Sequence, residues 1–539
     1  MLQMVTELAE MRLPPKVFWF TLAAMLAVTG LPFLYGWLSA GDAYVFGGFL
    51  FNPLDQNSYL AKMYQGWQGH WRYHLAFTAS PGEGAYLFMF YLFLGHLARW
   101  LALPLVAVYH LARLSGAAAL LWAAWGFFER TLPSARPSAR GLALLLTAFG
   151  SGMGWVLVPF GRLTADFWVA EAYPFLSAYA TPHFAWGLAL MLWLLTPHLA
   201  GRPWRIGLSS GLMAVLLASM LPFGAALCLV VWGGWMALEA WREERLDSHP
   251  PDDDPASRLE RLAGRFLAQR SALARLMGLL LGSGAVLLYD EWVTWTNPIL
   301  AAWNAQNLTP TPPLWDVFIS FAPVILLAIV GALQFGEQSH RAGRLLVTWA
   351  VLGLTLIYLP LGLQRRFMTG LYLPLIALAV VGLDRLAGGR PRRYGVLVAA
   401  VLMLSSLTNL LVFASGLHGI GARDPMLYLS RSEYQALTWL ARNAPAQTVV
   451  LAAPETGLFI PAYTGLGVLY GHPFETPNAA ENKTLVQAYF TRPLAAVPPT
   501  GVDLIFVGPR EIALAGSPFA LDYPAIYRSP AVTIYQVTR

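Results

Sequence analysis

The amino-acid sequence predicts a polytopic α-helical membrane protein that ends in a small α/β domain, and three observations carry that prediction. The first is composition: of 539 residues, 57% are hydrophobic and 12% charged, with a mean hydropathy of +0.52. Soluble domains carry about twice that charge, roughly 25%. The second is a recurrence of apolar runs of around 20 residues along most of the chain, each able to cross a hydrocarbon core about 30 Å thick. The third is a change of pattern past residue 415, where charged and turn residues return and short β-rich runs alternate with helical ones.

The first span is expected at 17–38, behind Arg12 and Lys16. It is too long for a signal-peptide core and no small-residue cleavage site follows it, so its amino terminus is expected inside. Residues 39–104 then form the first external loop. Further spans are expected at 105–128, 141–160, 182–200, 206–220, 222–240, 273–290, 316–335, 345–363, 367–386 and 395–414. The apolar stretch 84–102 is set off by Pro104 and is read as a helix lying at the outer interface, because an odd number of crossings must join an external loop to an internal one. The total is about eleven spans, with thirteen as the alternative.

Arginine fixes the direction. Connections bearing Arg130, Arg136 and Arg140, then Arg202 and Arg205, then the charged stretch 242–270, then Arg341 and Arg344, then Arg390, Arg392 and Arg393 alternate with basic-poor ones. Such connections belong in the cytoplasm. The connections 161–180 and 291–315 are therefore expected outside, together with everything after about residue 415. Two regions follow: a transmembrane module over 1–415 and an extracytoplasmic α/β domain over 416–539. In the latter, strands are expected at 448–452, 467–471, 504–508 and 532–537, and amphipathic helices at 432–442 and 478–490. The proline- and aspartate-rich run 250–255 reads as a solvated cytoplasmic loop.

Several function classes are excluded by what the chain lacks. The single cysteine, Cys228, lies in an apolar run and rules out a disulfide framework, a four-cysteine zinc site and an iron–sulfur cluster. Lysine occurs only at Lys16, Lys62 and Lys483, none behind a glycine-rich phosphate loop, and neither a dinucleotide fingerprint nor a zinc-protease histidine pair is present. Any reaction must therefore use a substrate activated elsewhere. The net charge of +6 is that of arginine-rich cytoplasmic loops and calls for no nucleic acid.

Acids, bases and aromatics crowd together in the first external loop, from Gly41-Asp42-Ala43-Tyr44 to Asn52-Pro53-Leu54-Asp55-Gln56-Asn57-Ser58-Tyr59-Leu60-Ala61-Lys62. Pro53 and Asp55 precede Tyr59, Leu60, Met63, Tyr64 and Trp67 at helical spacing, so Asp55 heads a helix, where its dipole favours an aspartate whatever else that residue does. Positions 55, 59, 62 and 66 share one face, which places Asp55, Tyr59 and Lys62 on the same side. A carboxylate and a cation so placed suit base catalysis beside a phosphate.

Asp55-Gln56-x-x-Tyr59, followed by Gly66 and Gly69-His70-Trp71, resembles the first-loop motif of the GT-C glycosyltransferase superfamily. The resemblance implies a polytopic fold, a catalytic acid just outside the first span, interfacial helices in that loop, a polyprenyl-phosphate sugar as donor, and an extracytoplasmic carboxy-terminal domain. Many relatives carry a second acid directly after the aspartate. Here that position is Gln56, and Asp42 is the alternative source of a second carboxylate.

Cations for a leaving phosphate are expected from Gln364-Arg365-Arg366-Phe367, where two arginines outside break the positive-inside pattern, and from Lys62. Arginine holds phosphate oxygens in a bidentate fork, although an arginine at a membrane edge also snorkels to headgroups. His183 and Glu83 are expected to face the same cavity. The run Gly150-Ser151-Gly152-x-Gly154 reads as close helix packing.

The expectation is an inverting hexosyl- or pentosyltransferase in a prokaryotic cell membrane, with Asp55 as general base. Its partners are a polyprenyl-phosphate sugar, membrane lipids and a glycan, lipid or protein acceptor, and a divalent metal remains open as cofactor. Two other readings compete: a transporter or flippase for a lipid-linked glycan, and a silent scaffold. Transporters place ionisable groups along a route through the membrane, whereas the polar groups here crowd at the outer face.

Overall fold

A computed structural model describes residues 15–132, 135–197, 201–246, 263–267, 269–335, 341–360, 362–494 and 497–538. Arg12 and the run 250–255 lie outside the described residues. A helix stands at each place where a span was expected. Among the described residues, seven helices are long and apolar enough to cross a membrane: Lys16–Leu38, Leu105–Thr131, Pro137–Phe160, Pro222–Glu243, Arg270–Thr296, Gln364–Ala387 and Pro391–Gly421. An eighth is a pair, Leu314–Phe321 and Val324–Gln334, bent by 83° at Pro323, which cannot donate to a helical ladder. The other three expected spans differ from expectation in length or apolarity. Pro182–Leu194 has 13 residues and Arg341–Leu356 has 16, and Pro203–Met220 has 18 but opens on Pro-Trp-Arg. The expected interfacial segment is the 13-residue helix Met89–Leu101, which rises only about 20 Å.

The chain divides into two compact units. The first comprises Met1–Thr29, Arg113–Tyr289 and Thr309–Ala414. Within it, small residues bring helix backbones into contact. A Cβ on Gly331 would lie 2.0 Å from the Leu378 carbonyl oxygen and one on Gly382 would lie 2.1 Å from that of Leu327. The glycine run sits at a break in its helix rather than inside a continuous one. The regular helix ends at Phe149 and a 3-10 turn follows over Gly154–Phe160. There a Cβ on Gly152 would meet the Ser320 carbonyl at 2.0 Å and one on Gly154 the Thr164 hydroxyl at 1.9 Å. Close approach, not ligand binding, accounts for these glycines.

The second unit comprises Gly30–Ala112, Asp290–Leu308 and Ser415–Arg539. Two strands, β1 (Tyr44–Phe46) and β2 (Tyr428–Ser430), pair antiparallel. A five-stranded sheet has the order β4-β3-β5-β7-β6, built from β3 (Val449–Leu451), β4 (Gly467–Val468), β5 (Leu504–Val507), β6 (Ala525–Arg528) and β7 (Thr533–Gln536). β3 runs parallel to β4 and β5, whereas β7 runs antiparallel to β5 and β6. Side chains alternate across the sheet. Val450, Leu504, Phe506 and Ile534 enter one core with Leu458 and Phe459, while Leu451, Ile505 and Tyr535 enter another with Val486 and Phe490. Phe49, Leu60, Met63, Phe77 and Tyr91 of the first loop belong to the former core. The first loop and the α/β sheet therefore share apolar burial within one unit.

Candidate active site

Asp55 lies in the first turn of the helix Pro53–Gln68, as the sequence predicts. Asn52 is the N-cap, held at φ 45°, and its side-chain oxygen accepts the Asp55 N–H at 3.5 Å. The Asn52 amide in turn donates to Asp55 Oδ2 at 2.6 Å. An asparagine tolerates that left-handed backbone better than most residues, and this one fixes both the start of the helix and the carboxylate. The Asp55 side chain is 42% exposed.

Behind it lies His472. Its Nε2 is 3.4 Å from Asp55 Oδ1, with the histidine side chain only 1% exposed. The ring borders Phe77 and Phe474. Its other nitrogen, Nδ1, accepts the backbone N–H groups of Phe474 and Glu475, each at 3.1 Å. That pattern assigns the ring proton to Nε2, on the side of Asp55.

Two turns along the same helix, Lys62 is fully buried. Its ammonium meets Glu475 Oε1 at 2.7 Å and donates to the Ser58 hydroxyl at 3.2 Å. It stands 4.3 Å from the centre of the Phe88 ring and 5.3 Å from those of Tyr59 and Tyr73. The Tyr73 hydroxyl donates to Glu475 Oε2 at 3.2 Å. Burial, and then the Glu475 charge, push the Tyr73 phenol well above its ordinary range, so it stays a donor. Lys62 is thus engaged by Glu475 rather than presented as a free cation. Tyr59 stacks on Tyr91, with ring centres 4.4 Å apart at 6°.

Gln56 turns inward, fully buried, and its amide donates to the Phe51 carbonyl. Asp42 sits in an exposed turn before β1, and its backbone carbonyl accepts from Arg431 at 3.1 Å. Glu83 is exposed, and its backbone bonds to His74, whose ring burial pushes below the ordinary histidine range. The motif glycine Gly66 has a packing role: a Cβ there would lie 2.1 Å from the Leu92 carbonyl oxygen, and one on Gly95 would lie 2.0 Å from that of Met63. Gly69 ends the helix at φ 106°, and Trp71 of the same motif stacks on His96 at 3.9 Å.

The remaining candidates belong to the first unit. Arg365 and Arg366 lie in the 3-10 turn Gln364–Met368. The Arg365 guanidinium stands 4.8 Å from the Trp168 ring centre, and Arg366 contacts the buried Glu171 at 3.4 Å. His183 is buried at the start of Pro182–Leu194, against Phe184 at 4.1 Å. This unit also holds a polar knot absent from the sequence reading. Buried Asp166 accepts from Thr164 at 2.6 Å, Thr408 at 2.8 Å and the Gly154 N–H at 3.0 Å. Burial pushes its carboxyl up, against those three bonds. Asp316 accepts from the Ala165 N–H and the Ser320 hydroxyl, each at 2.9 Å.

Among the described residues, no three His, Cys, Asp or Glu side chains come together to hold a metal ion. The Asn52 amide N–H and the His472 Nε2–H beside Asp55 are both donors, so neither adds a ligand for a metal there.

No family model matches the chain, and no curated protein matches it. Solved structures do resemble it. The apo oligosaccharyltransferase of Archaeoglobus fulgidus superposes with a TM-score of 0.52 at 12% identity, covering 91% of this chain and 69% of its own. The same enzyme tethered with an acceptor peptide gives 0.50 at 13% identity, over 92% and 69%. Arabinofuranosyltransferase AftD from Mycobacteria gives 0.50 at 16% identity, over 98% of this chain but 40% of its own. The chain has the GT-C fold, as a polytopic helical membrane protein with a small carboxy-terminal α/β part.

Proposed function

We propose that the chain is a membrane glycosyltransferase that moves a sugar from a polyprenyl-phosphate donor to an extracytoplasmic acceptor, with Asp55 as general base. The observation that carries this reading is the Asp55 carboxylate on a GT-C fold: an accessible acid at the head of a helix, with Asn52 on one oxygen and His472 behind the other. The acceptor hydroxyl gives its proton to Asp55 as its oxygen bonds to the anomeric carbon. The bond from that carbon to the phosphate oxygen breaks, and its electron pair leaves with the lipid phosphate. One base and one displacement give inversion. Arg365 and Arg366 hold the departing phosphate, whose charge a guanidinium fork matches.

The arginine alternation supports an outward-facing site, and nucleotide sugars are made inside, so the donor is lipid-carried. The names of the similar structures, an oligosaccharyltransferase and an arabinofuranosyltransferase, favour sugar transfer over transport. The acceptor is a glycan, lipid or protein. Purified full-length protein, given a panel of polyprenyl-phosphate sugars beside an Asp55→Asn control, tests the reading through release of polyprenyl phosphate. Asp55→Asn keeps the side chain's size and is expected to lose on the order of 10²-fold or more in turnover. Near wild-type turnover in that variant would remove Asp55 from the role of base.

A further inference from the structure

We propose that His472 is a positioning residue for Asp55, held in place by the Lys62–Glu475–Tyr73 network; the inference rests on the reading of Asp55 as the base. Asp55 is 42% exposed and His472 1%, so an acceptor meets the carboxylate and His472 acts only through it.

Among the described residues, His472 Nε2 is a buried nitrogen with no formed hydrogen bond, and Asp55 Oδ1 lies within ionic reach of it at 3.4 Å. Its proton cannot move to the other nitrogen without displacing the backbone N–H groups of Phe474 and Glu475 that occupy Nδ1. A buried donor left unmade is costly, and the Asp55 carboxylate is the acceptor in its path. Catalytic contacts are often long before substrate binds and tighten afterwards.

The loop itself is fastened at several points, so the ring has little room to swing. The Thr476 hydroxyl accepts the N–H groups of Gly471 and His472 at 3.4 and 3.3 Å. The Gln306 amide donates to the Thr476 carbonyl at 2.7 Å, and the Asn307 amide to that of Phe474 at 3.1 Å. Glu475, whose N–H pins the imidazole, has its own side chain gripped by Lys62 and Tyr73. The helix Pro53–Gln68 therefore carries both the acid and, at Lys62, the anchor of the loop that orients it.

An N–H given to a carboxylate favours its ionised form, so removing that donor moves the acidic limb of the pH–rate profile to higher pH. In the full-length protein, His472→Phe should lower kcat roughly tenfold to a hundredfold through misorientation, with the KM for a polyprenyl-phosphate sugar little changed. His472→Gln restores an N–H near the Nε2 position and should recover most of that loss. Two measurements need no turnover. The ¹⁵N spectrum of labelled histidine should show His472 protonated at Nε2 and bare at Nδ1, and the ¹³C carboxyl signal of Asp55 should titrate at higher pH in His472→Phe. A His472 proton on Nδ1 in the wild-type protein, or an Asp55 titration that His472→Phe leaves in place, overturns the inference. Loss of the glycosyltransferase reading shows instead as full turnover in Asp55→Asn, a result on which the two spectra do not depend.

Discussion

Lys62 Nζ lies 2.7 Å from Glu475 Oε1, across 413 positions of sequence, with the lysine side chain wholly buried and the glutamate 12% exposed. The pair joins the aromatic helix of the first loop to the loop that carries His472, inside the unit whose apolar core both segments share. Two charges withdrawn from water in this way stabilise little in total, but each depends heavily on the other.

Removing one partner should therefore cost more than removing both. Lys62→Met leaves Glu475 buried and uncompensated, at about 3–5 kcal/mol, and Glu475→Gln leaves the ammonium so, whereas the double variant should regain much of the loss. Thermal unfolding of the four proteins in one detergent closes the cycle. Additive losses would show that the two charges do not act as a pair.

Gly66 makes a second prediction, about how the acid-bearing helix is seated. A Cβ there would fall 2.1 Å from backbone, the Leu92 carbonyl oxygen, which cannot rotate aside. Gly66→Ala should force apart the helices Pro53–Gln68 and Met89–Leu101 and cost about 1–3 kcal/mol of stability. Because Asp55 and Lys62 ride on that helix, turnover should fall as well. Gly284→Ala is the control, since a Cβ there meets nothing within 4 Å. Equal melting temperatures for the two variants would refute the close packing.

The place of Asp55 at the head of its helix was legible in the sequence because the signal is local: a proline, an aspartate in the first turn and aromatics at helical spacing. The residues around it were not. His472 and Glu475 lie in the loop Gly471-His472-Pro473-Phe474-Glu475-Thr476-Pro477, where a histidine and a glutamate three apart in a proline-containing segment look like surface. Only the fold brings them to the first loop. Lys62 reads in sequence as an external cation, and its burial follows from a partner that spacing cannot supply. The four β-rich runs anticipated after residue 415 are all strands, but β2, β6, the helix Pro509–Ala515 and the buried helix Pro454–Thr464 were not anticipated. The helix Pro454–Thr464 contains Gly457 and Pro461, which argue against it locally, and it forms because Leu458, Phe459 and Ile460 are wholly buried in the core. Periodicity found the spans and overstated the length of two, at 182–200 and 345–363, since apolar runs do not reveal where a short helix stops.

The third prediction is topological and follows from the alternation of arginines. With Cys228 replaced, Ala256→Cys should resist an impermeant thiol reagent on intact cells and Ala480→Cys, on an exposed face of its helix, should react. Labelling at 256 with protection at 480 would reverse the orientation and with it the argument for a lipid-carried donor.

The last prediction separates phosphate binding from membrane anchoring at Arg365 and Arg366. Lysine keeps a charge that can reach lipid headgroups but loses the planar fork of donors, so an anchor accepts the exchange and a bidentate phosphate ligand does not. Their surroundings differ: Arg365 stands 4.8 Å from the centre of the Trp168 ring, and Arg366 contacts the buried carboxylate of Glu171. At whichever position holds the phosphate, Arg→Lys should weaken donor use and Arg→Gln should nearly eliminate it at unchanged protein amount. Hydrogen bonds to charged groups contribute about 1.5–3 kcal/mol each, so the loss of one is read as roughly a tenfold to hundredfold fall in kcat/KM. Full activity in both lysine variants with every donor that the wild type uses would make the arginines anchors, and the leaving phosphate would then need another cation.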